Sequence, residues 1–159
     1  MSTVATAREP REARNTFSHE LVVDDGHIDQ FGHANNVVIL GWIQDVAEAH
    51  SASVGFPLAA YERLGAAFVV RRHEIDYLRP SVRGDRLWVR TWVSTARSAS
   101  CSRGTEITSA EDGRVMVTAM TTWVFAELAT LRLARIPDDV RLAFGFDARR
   151  RGDATASND

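Results

Sequence analysis

Residues 35–53 constrain the fold of this chain more than any other segment. They read NNVVILGWIQDVAEAHSAS, which has the length and composition of a helix. Apolar residues cover nearly the whole circumference of its first three turns, and a helix that is apolar on every side is usually buried. Gly55 and Pro57 then end it. The sequence therefore predicts a central helix that the rest of the chain must cover.

Most of the remaining chain has the alternating pattern of β-strands. Strands are predicted over residues 17–25, 67–80, 86–98, 100–110 and 114–128. Residues 111–113 (EDG) suit a tight hairpin, and residues 136–144 suit a short helix with two acids in its first turn. Consecutive strands with short links pair antiparallel. We therefore expect an α+β fold in which one five-stranded antiparallel sheet wraps around the central buried helix, with a second subunit covering the remaining apolar surface.

Length and composition exclude several classes of function. The 159 residues predict one domain over residues 16–146, with a flexible arm at 1–15 and a flexible tail at 147–159. The net charge of -2 argues against nucleic acid as the main partner. The amino terminus lacks the apolar core of a secretory signal, and no stretch approaches the roughly 18 to 20 apolar residues of a membrane span. Cys101 is the single cysteine of this sequence and cannot form an internal disulfide, so a location in the reducing cytoplasm is predicted.

Two motifs carry a resemblance to a known family. Residues 27–36 (HIDQFGHANN) precede the helix, and residues 71–93 (RRHEIDYLRPSVRGDRLWVRTWV) follow about forty residues later. Together they resemble the hotdog-fold acyl thioesterases, above all the 4-hydroxybenzoyl-CoA thioesterase-like group, whose patterns are D-x-D-x-x-G-H-V-N-N and I-x-Y-x-x-P-x-x-x-G-D. Residues 33–45 are also similar to the catalytic region of plant acyl-ACP thioesterases. The resemblance covers residues 17–140.

The resemblance implies a hotdog fold and a homodimer or homotetramer with active sites at the subunit interface. It also implies hydrolysis of an acyl-CoA or acyl-carrier-protein thioester. No cofactor is expected, because the sequence has no nucleotide-binding glycine motif. No metal is expected either, because no His, Cys and Asp residues have ligand spacing. The acyl group itself is left open: an aromatic acid, a fatty chain and a polyketide intermediate all fit.

The first motif suggests where the chemistry takes place. Asp29 matches the family's catalytic carboxylate and lies in a loop that Gly32 is expected to make flexible. It would act as nucleophile or as general base on water, and the sequence does not separate these roles. A helix amino terminus presents unpaired N–H groups and a partial positive charge. The backbone N–H of Asn36 or Val37 is thus the expected oxyanion donor. His33 fills the motif's histidine position and would position the thioester or water, or else order the loop.

Other positions of the motif are assigned to substrate binding or to structure. Phe31, Asn35, Val37 and Ile39 are predicted to bind substrate, although the Asn35 side chain is expected chiefly to cap the helix. The sequence departs from the family pattern at three positions. His27 replaces the first acid and is interpreted as structural. Ile39 stands where a tyrosine is frequent and favours an apolar acyl pocket. Phe31 replaces the asparagine of plant-type enzymes.

Alternatives to this assignment come from the helix and from other functional classes. Some hotdog thioesterases place their carboxylate on the central helix, which makes Asp45 and Glu48 rival candidates. Arginines that could receive CoA or carrier phosphates are Arg71, Arg72, Arg79, Arg97 and Arg103. Trp88, Trp92 and Trp123 are expected in the core or at an interface. The rival functions are a hotdog hydratase or dehydratase acting on an acyl thioester, and a non-catalytic acyl-thioester binding protein.

Overall fold

The computed structural model describes residues 15–148. Its strands are β1 (Thr16–Val22), β2 (Ala66–Tyr77), β3 (Arg86–Ala96), β4 (Ser100–Ser109) and β5 (Val115–Glu127), and its helices are α1 (Asn36–Ser53), α2 (Leu58–Leu64) and α3 (Asp138–Ala143). All strand pairs are antiparallel, in the order β1-β3-β4-β5-β2. The predicted five-stranded sheet with a central helix is confirmed. The predicted arm and tail lie almost wholly outside the described residues.

Helix α1 packs one face against the sheet. The residues buried along it are Ile39, Trp42, Ile43, Val46, Ala47, His50 and Ser51, and their spacing of three and four places them on one side of the helix. Val37 on another side is 75% exposed, and Asp45 and Glu48 are exposed as well. Within one chain the helix is therefore covered on one side, although its composition predicted burial all round. A second subunit over the other side stays a prediction.

The connection between β2 and β3 corrects one sequence-based expectation. Consecutive strands were expected to pair, but β2 pairs with β5 and β3 pairs with β1 and β4. Residues 78–85 cross the sheet instead of forming a hairpin. They are held by hydrogen bonds from Ala34 N to Ser81 O (2.8 Å) and from Gly84 N to Val23 O (2.8 Å). Gly84 has a φ of +89°, which suits glycine far better than other residues. The second motif therefore supports the loop that carries the first motif.

Two short elements also differ from the sequence-based expectation. The strand predicted to reach residue 25 ends at Val22, because Asp24 caps a 3₁₀ turn over Asp25–His27 and accepts a hydrogen bond from Gly26 N (2.9 Å). Helix α2 was not predicted. It spans seven residues between Pro57 and a left-handed Gly65, which is too short for a clear helical period in the sequence.

Candidate active site

The loop that carries Asp29 is ordered by its own hydrogen bonds. Asp29 Oδ1 accepts from Phe31 N (2.8 Å) and, at 3.4 Å, from His33 N. Asp29 N donates to His33 O (2.9 Å), and Gly32 N donates to Asp29 O (3.0 Å). Gly32 has a φ of +81°, a left-handed conformation that suits glycine and permits the tight turn. The carboxylate is thereby fixed by one oxygen, while Oδ2 accepts no hydrogen bond from any residue between 15 and 148.

The amino terminus of α1 follows this loop and has backbone N–H groups in its first turn. Asn35 is the N-cap: its Oδ1 accepts from Val37 N at 2.8 Å. The expected capping role of Asn35 is thus observed, and it engages one of the two predicted oxyanion donors. The N–H of Asn36 makes no hydrogen bond to the described part of the chain. Asn36 is therefore the donor of the pair that remains available to a substrate.

Side chains around the loop are open to solvent. Phe31 is 76% exposed and Val37 is 75% exposed, and His33 is exposed too, whereas Asp29 is half-buried. Phe31 and Val37 leave apolar surface open near the carboxylate, which a substrate or another chain could cover. Ile39 differs: it is 5% exposed and packs into the core cluster under α1 with Val46 and Val89. It does not line the cavity described below.

His27 has a structural environment. Its Nδ1 accepts from Asp24 N (3.0 Å) and lies 3.3 Å from the Asp24 carboxylate. Its ring meets the ring of Trp42 edge-on, with the ring centroids 5.2 Å apart. These contacts attach the start of the loop to the buried face of α1. The sequence-based interpretation of His27 as structural agrees with this geometry.

A cavity lies at the other end of α1. It has a volume of about 210 Å³ and is bounded by α1, α2, α3 and one end of the sheet. Its lining includes the apolar residues Ala47, Phe56, Leu58, Ala67, Phe68, Val93, Ala96, Ile136, Val140, Phe144 and Phe146 and the polar or titratable residues Glu48, Ser51, Tyr61, Cys101, Arg103, Trp123 and Arg141. Twelve residues separate Asn36 from Glu48, which is about 18 Å along a helix. Asp29 and the cavity are therefore separate within one chain.

A buried polar cluster adjoins this cavity. Arg103 is 5% exposed, and its Nη1 is 2.9 Å from His50 Nδ1 and donates to Thr91 Oγ1 (3.2 Å). Thr91 in turn donates to Gly104 O (2.8 Å), and its Oγ1 accepts from Thr105 (3.3 Å). Burial lowers the pKa of the Arg103 guanidinium to about 10, so that it stays charged at neutral pH. The sequence grouped Arg103 with the arginines that could receive CoA or carrier phosphates, and the structure buries it inside the fold.

The acidic groups nearest to Arg103 are neutral at pH 7. Burial raises the pKa of the Cys101 thiol to about 11. Burial also raises the pKa of the Tyr61 hydroxyl, which makes a 2.7 Å hydrogen bond with Ser51 Oγ. No ion pair joins Arg103 to a carboxylate among residues 15–148. The guanidinium is thus charged and desolvated, without an anionic partner in the described structure.

Two other residues that the sequence singled out, Arg72 and Trp88, lie at the surface. Arg72 forms an ion pair with Glu74 (2.7 Å) on the exposed face of β2. Trp88, expected in a core or an interface, is 43% exposed. In the part of the chain that the structure describes, no group of three or more His, Cys, Asp or Glu side chains could hold a metal ion. No helix there is long and apolar enough to cross a membrane.

Comparison with known proteins settles the family. Residues 23–144 match the model of the thioesterase-like superfamily. The chain belongs to this superfamily. The resemblance inferred from the two motifs is therefore confirmed, and the match spans the loop, the central helix and all but the first strand of the sheet.

Curated relatives of this chain include plant acyl-carrier-protein thioesterases. The chain is 34% identical over 74 residues to an acyl-[acyl-carrier-protein] hydrolase of Cuphea viscosissima, covering 46% of this chain and 18% of that protein. It is 27% identical over 134 residues to the palmitoyl-acyl carrier protein thioesterase of Gossypium hirsutum, covering 79% of this chain and 32% of that one. The chain thus spans less than a third of the length of these two relatives.

Solved structures share the fold over most of the chain. The 1,4-dihydroxy-2-naphthoyl-CoA thioesterase of Synechocystis superposes with a TM-score of 0.75 at 25% identity, covering 81% of this chain and 95% of that one. The DHNA-CoA thioesterase of Staphylococcus aureus gives a TM-score of 0.70 at 19% identity, covering 76% and 80%. The second of these likenesses shows the fold alone, because its sequence identity is low.

Proposed function

We propose that this protein is a thioesterase that hydrolyses an acyl-CoA or acyl-carrier-protein thioester to the free acid and a thiol. The observation that carries the proposal is the geometry of Asp29. One carboxylate oxygen is tied to the loop backbone, and the other is unengaged beside the amino terminus of α1. The family match and the names of the similar proteins support the same chemistry.

In the proposed reaction the thioester carbonyl oxygen accepts a hydrogen bond from Asn36 N–H, where the α1 dipole stabilises developing negative charge. Asp29 takes a proton from a water molecule, whose oxygen attacks the carbonyl carbon. The tetrahedral intermediate collapses, the C–S bond breaks, and the leaving thiolate takes the proton that Asp29 removed from water. Alternatively Asp29 attacks the carbonyl carbon itself, the C–S bond breaks as the thiolate leaves, and water hydrolyses the resulting anhydride to the free acid and the Asp29 carboxylate. His33 positions the thioester or the water in either route.

We further propose that the working unit is a homodimer or homotetramer with the site between subunits. The outer edge of β2 is twelve residues long and pairs with no other strand within residues 15–148. A twofold assembly through this edge would pair the two β2 strands antiparallel and run the two α1 helices in opposite directions. The Asp29 loop of one subunit would then face the cavity end of its partner's α1. This arrangement would also cover Phe31 and Val37. A location in the reducing cytoplasm is proposed separately, because its conditions suit the free, buried thiol of Cys101.

A thiol-release screen tests this function directly. Purified protein would be assayed against acyl-CoA and acyl-carrier-protein thioesters that carry short, medium, long and aromatic acyl groups. We expect turnover with at least one class of thioester. Hydration of an enoyl thioester without thiol release would favour the hydratase alternative. Binding of thioesters with no turnover across the whole panel would favour the non-catalytic binding protein.

A further inference from the structure

The cavity at the carboxy-terminal half of α1 combines an apolar lining with an unmatched positive charge. Arg103 lies at its buried end with Val93 and Cys101, while Glu48 and Leu58 lie at its exposed rim. A guanidinium that is removed from water without an anionic partner is costly in free energy. The charge on Arg103 is thus a feature that packing alone does not explain.

The contacts that Arg103 makes among residues 15–148 include no carboxylate. They are His50 Nδ1, the hydroxyl of Thr91 and the ring of Phe144, over which the guanidinium carbon lies 5.7 Å from the centroid. These contacts use Nη1 and one face of the guanidinium. An arginine has five N–H donors in a planar fork. The donors on Nε and Nη2 make no hydrogen bond to residues 15–148 and are left for a further acceptor.

A second unpaired donor lies in the lining of the same cavity. The indole Nε1 of Trp123 is buried and has no hydrogen-bond partner in the described structure. Trp123 is the cross-strand neighbour of Cys101, and Cys101 and Arg103 are two residues apart on one face of β4. Trp123 and Arg103 are therefore diagonal neighbours, which lie about 7 to 8 Å apart in an antiparallel pair. Arg103 and Trp123 therefore offer the cavity N–H donors that no residue between 15 and 148 accepts, and Glu48, the carboxylate of the lining, is exposed at the rim.

We propose that this cavity binds a short carboxylate, whose two oxygens pair with Arg103 and whose apolar body packs against the phenylalanine-rich lining. Planar carboxylates match the arginine fork in two parallel hydrogen bonds. The volume of about 210 Å³ lies below the roughly 300 to 1,000 Å³ of common small-molecule pockets, which favours a short body.

Two kinds of ligand have a short apolar body with a carboxylate. One is a free short-chain carboxylic acid, such as the product of thioester hydrolysis. The other, which rests on the proposed function, is an acyl group that carries a second carboxylate at the end remote from the thioester. Glu48 at the rim disfavours a second negative charge at the entrance, so the carboxylate belongs at the buried end beside Arg103.

The binding arm of the test uses hexanoate against hexan-1-ol, which has the same apolar body without the charge. Titration calorimetry measures affinity, and the ¹⁵N-labelled indole resonance of Trp123, assigned with Trp123→Phe, reports occupancy of the cavity. We expect hexanoate to bind at least about tenfold more tightly than hexan-1-ol and to shift the Trp123 resonance. Arg103→Met should abolish this preference, and Arg103→Lys should retain part of it. Arg90→Met is the matched control, because Arg90 is an exposed arginine on β3.

Arg103→Met is expected to fold, because replacing an unpaired buried charge by an apolar side chain is often neutral or stabilising. If it does not fold, Trp123→Phe gives an independent test, since it removes one donor and should weaken hexanoate binding roughly two- to tenfold. Equal binding of hexanoate and hexan-1-ol, or a preference that survives Arg103→Met, would overturn the carboxylate site.

The kinetic arm separates the two kinds of ligand. Adipoyl-CoA and hexanoyl-CoA have the same chain length and differ by a terminal carboxylate. If the carboxylate belongs to the acyl group, kcat/KM should favour adipoyl-CoA by at least about tenfold, and Arg103→Met should reverse this preference. Hexanoate binding without any thioester turnover would refute the proposed hydrolysis and leave the carboxylate site standing. Thioester hydrolysis in which a carboxylate has no effect that depends on Arg103 would support the proposed hydrolysis and refute the carboxylate site.

Discussion

The two ends of helix α1 each lie near a charged side chain, and the two side chains have different environments. At its amino terminus Asp29 is half-buried and held by backbone N–H groups, with one oxygen left open. Toward its carboxy terminus Arg103 is 5% exposed, lies beside a largely apolar cavity and forms no ion pair with a carboxylate among residues 15–148. Water reaches the first site freely and is largely kept from the second.

From this difference we propose a division of tasks between the two ends. A carboxylate that must accept a proton or attack a carbonyl needs a free oxygen and access to water. A cation that selects a ligand works best where water is excluded, because its interaction with an anion is strong in a low dielectric. In this proposal, bond breaking takes place at the loop end and ligand recognition takes place at the cavity end. About 18 Å of helix separates them within a chain, so a single subunit does not bring the two together.

The largest expected effect is at the loop end. Asp29→Asn keeps the Oδ1 acceptor for Phe31 N but removes the negative charge and the proton-accepting oxygen. We expect kcat for the best thioester substrate to fall at least about 10²-fold. Thermal stability should change little, because a carboxylate near a helix amino terminus contributes only about 0.3 to 1 kcal/mol.

Asp25→Asn is the matched control for this variant, since Asp25 is an exposed carboxylate four residues away that pairs with Arg83 (3.0 Å). It should retain wild-type kcat. Glu48→Gln tests the rival site on the helix. If Asp29→Asn keeps more than half of the wild-type rate while Glu48→Gln loses activity, the catalytic carboxylate belongs to the cavity end, and the division of tasks is wrong.

The second expected effect concerns thiols at the two ends. Because burial raises the pKa of Cys101 to about 11, about 0.1% of it is thiolate at pH 8. Reaction with an aromatic disulfide should be at least about 10²-fold slower in the native protein than in the unfolded chain. Phe31→Cys in a Cys101→Ala background places a thiol at the exposed loop end instead, and it should react at the rate of a free thiol. Equal rates for the two thiols would show that water reaches both ends.

The raised pKa of Cys101 also predicts how the free energy of unfolding depends on pH. The folded-state pKa of Cys101 lies above its unfolded value of about 9, so folding is unaffected by this group below pH 9. Between pH 9 and about pH 11 the unfolded chain loses the thiol proton and the folded chain keeps it. Denaturant unfolding should therefore show stability falling across this window, and Cys101→Ala should reduce the fall.

Much of the loop end was predictable from sequence, because its geometry depends on neighbours in the chain. Asn35 caps through Val37, two residues on, and Asp29 bonds to Phe31, also two residues on. The cavity end was not predictable in this way. Arg103 meets His50 from 53 residues away, and only the order of the strands decides that Arg103 points inward. The crossing of residues 78–85 was missed for the same reason, since hydrogen bonds to distant residues override the tendency of neighbouring strands to pair.

A smaller effect is expected from a glycine next to Arg103. A methyl group at Gly104 would overlap the indole ring of Trp92 on the outer face of the sheet. Gly104→Ala should therefore lower the free energy of unfolding by about 1 to 3 kcal/mol, which is typical of overpacking. The loop is remote from this contact, so kcat at saturating substrate should be preserved at temperatures where the variant is folded. A loss of kcat without loss of stability would show that the two ends are coupled inside one subunit.

The smallest effect is expected from the helix cap. Asn35→Ala removes the acceptor that holds Val37 N at 2.8 Å and should cost about 0.5 to 2 kcal/mol of stability in denaturant unfolding. It also frees the N–H of Val37, so that a substrate oxyanion has a second donor beside the N–H of Asn36, although the helix terminus is less ordered. We therefore expect a modest change of kcat, well below that of Asp29→Asn, with hexanoate binding unchanged.

Asn35→Asp is the matched variant, because aspartate caps equally well but adds a negative charge where the carbonyl oxygen becomes negative. If the oxyanion lies at this helix terminus, Asn35→Asp should restore stability while lowering kcat further than Asn35→Ala. Equal kcat values for the two variants would place the oxyanion elsewhere.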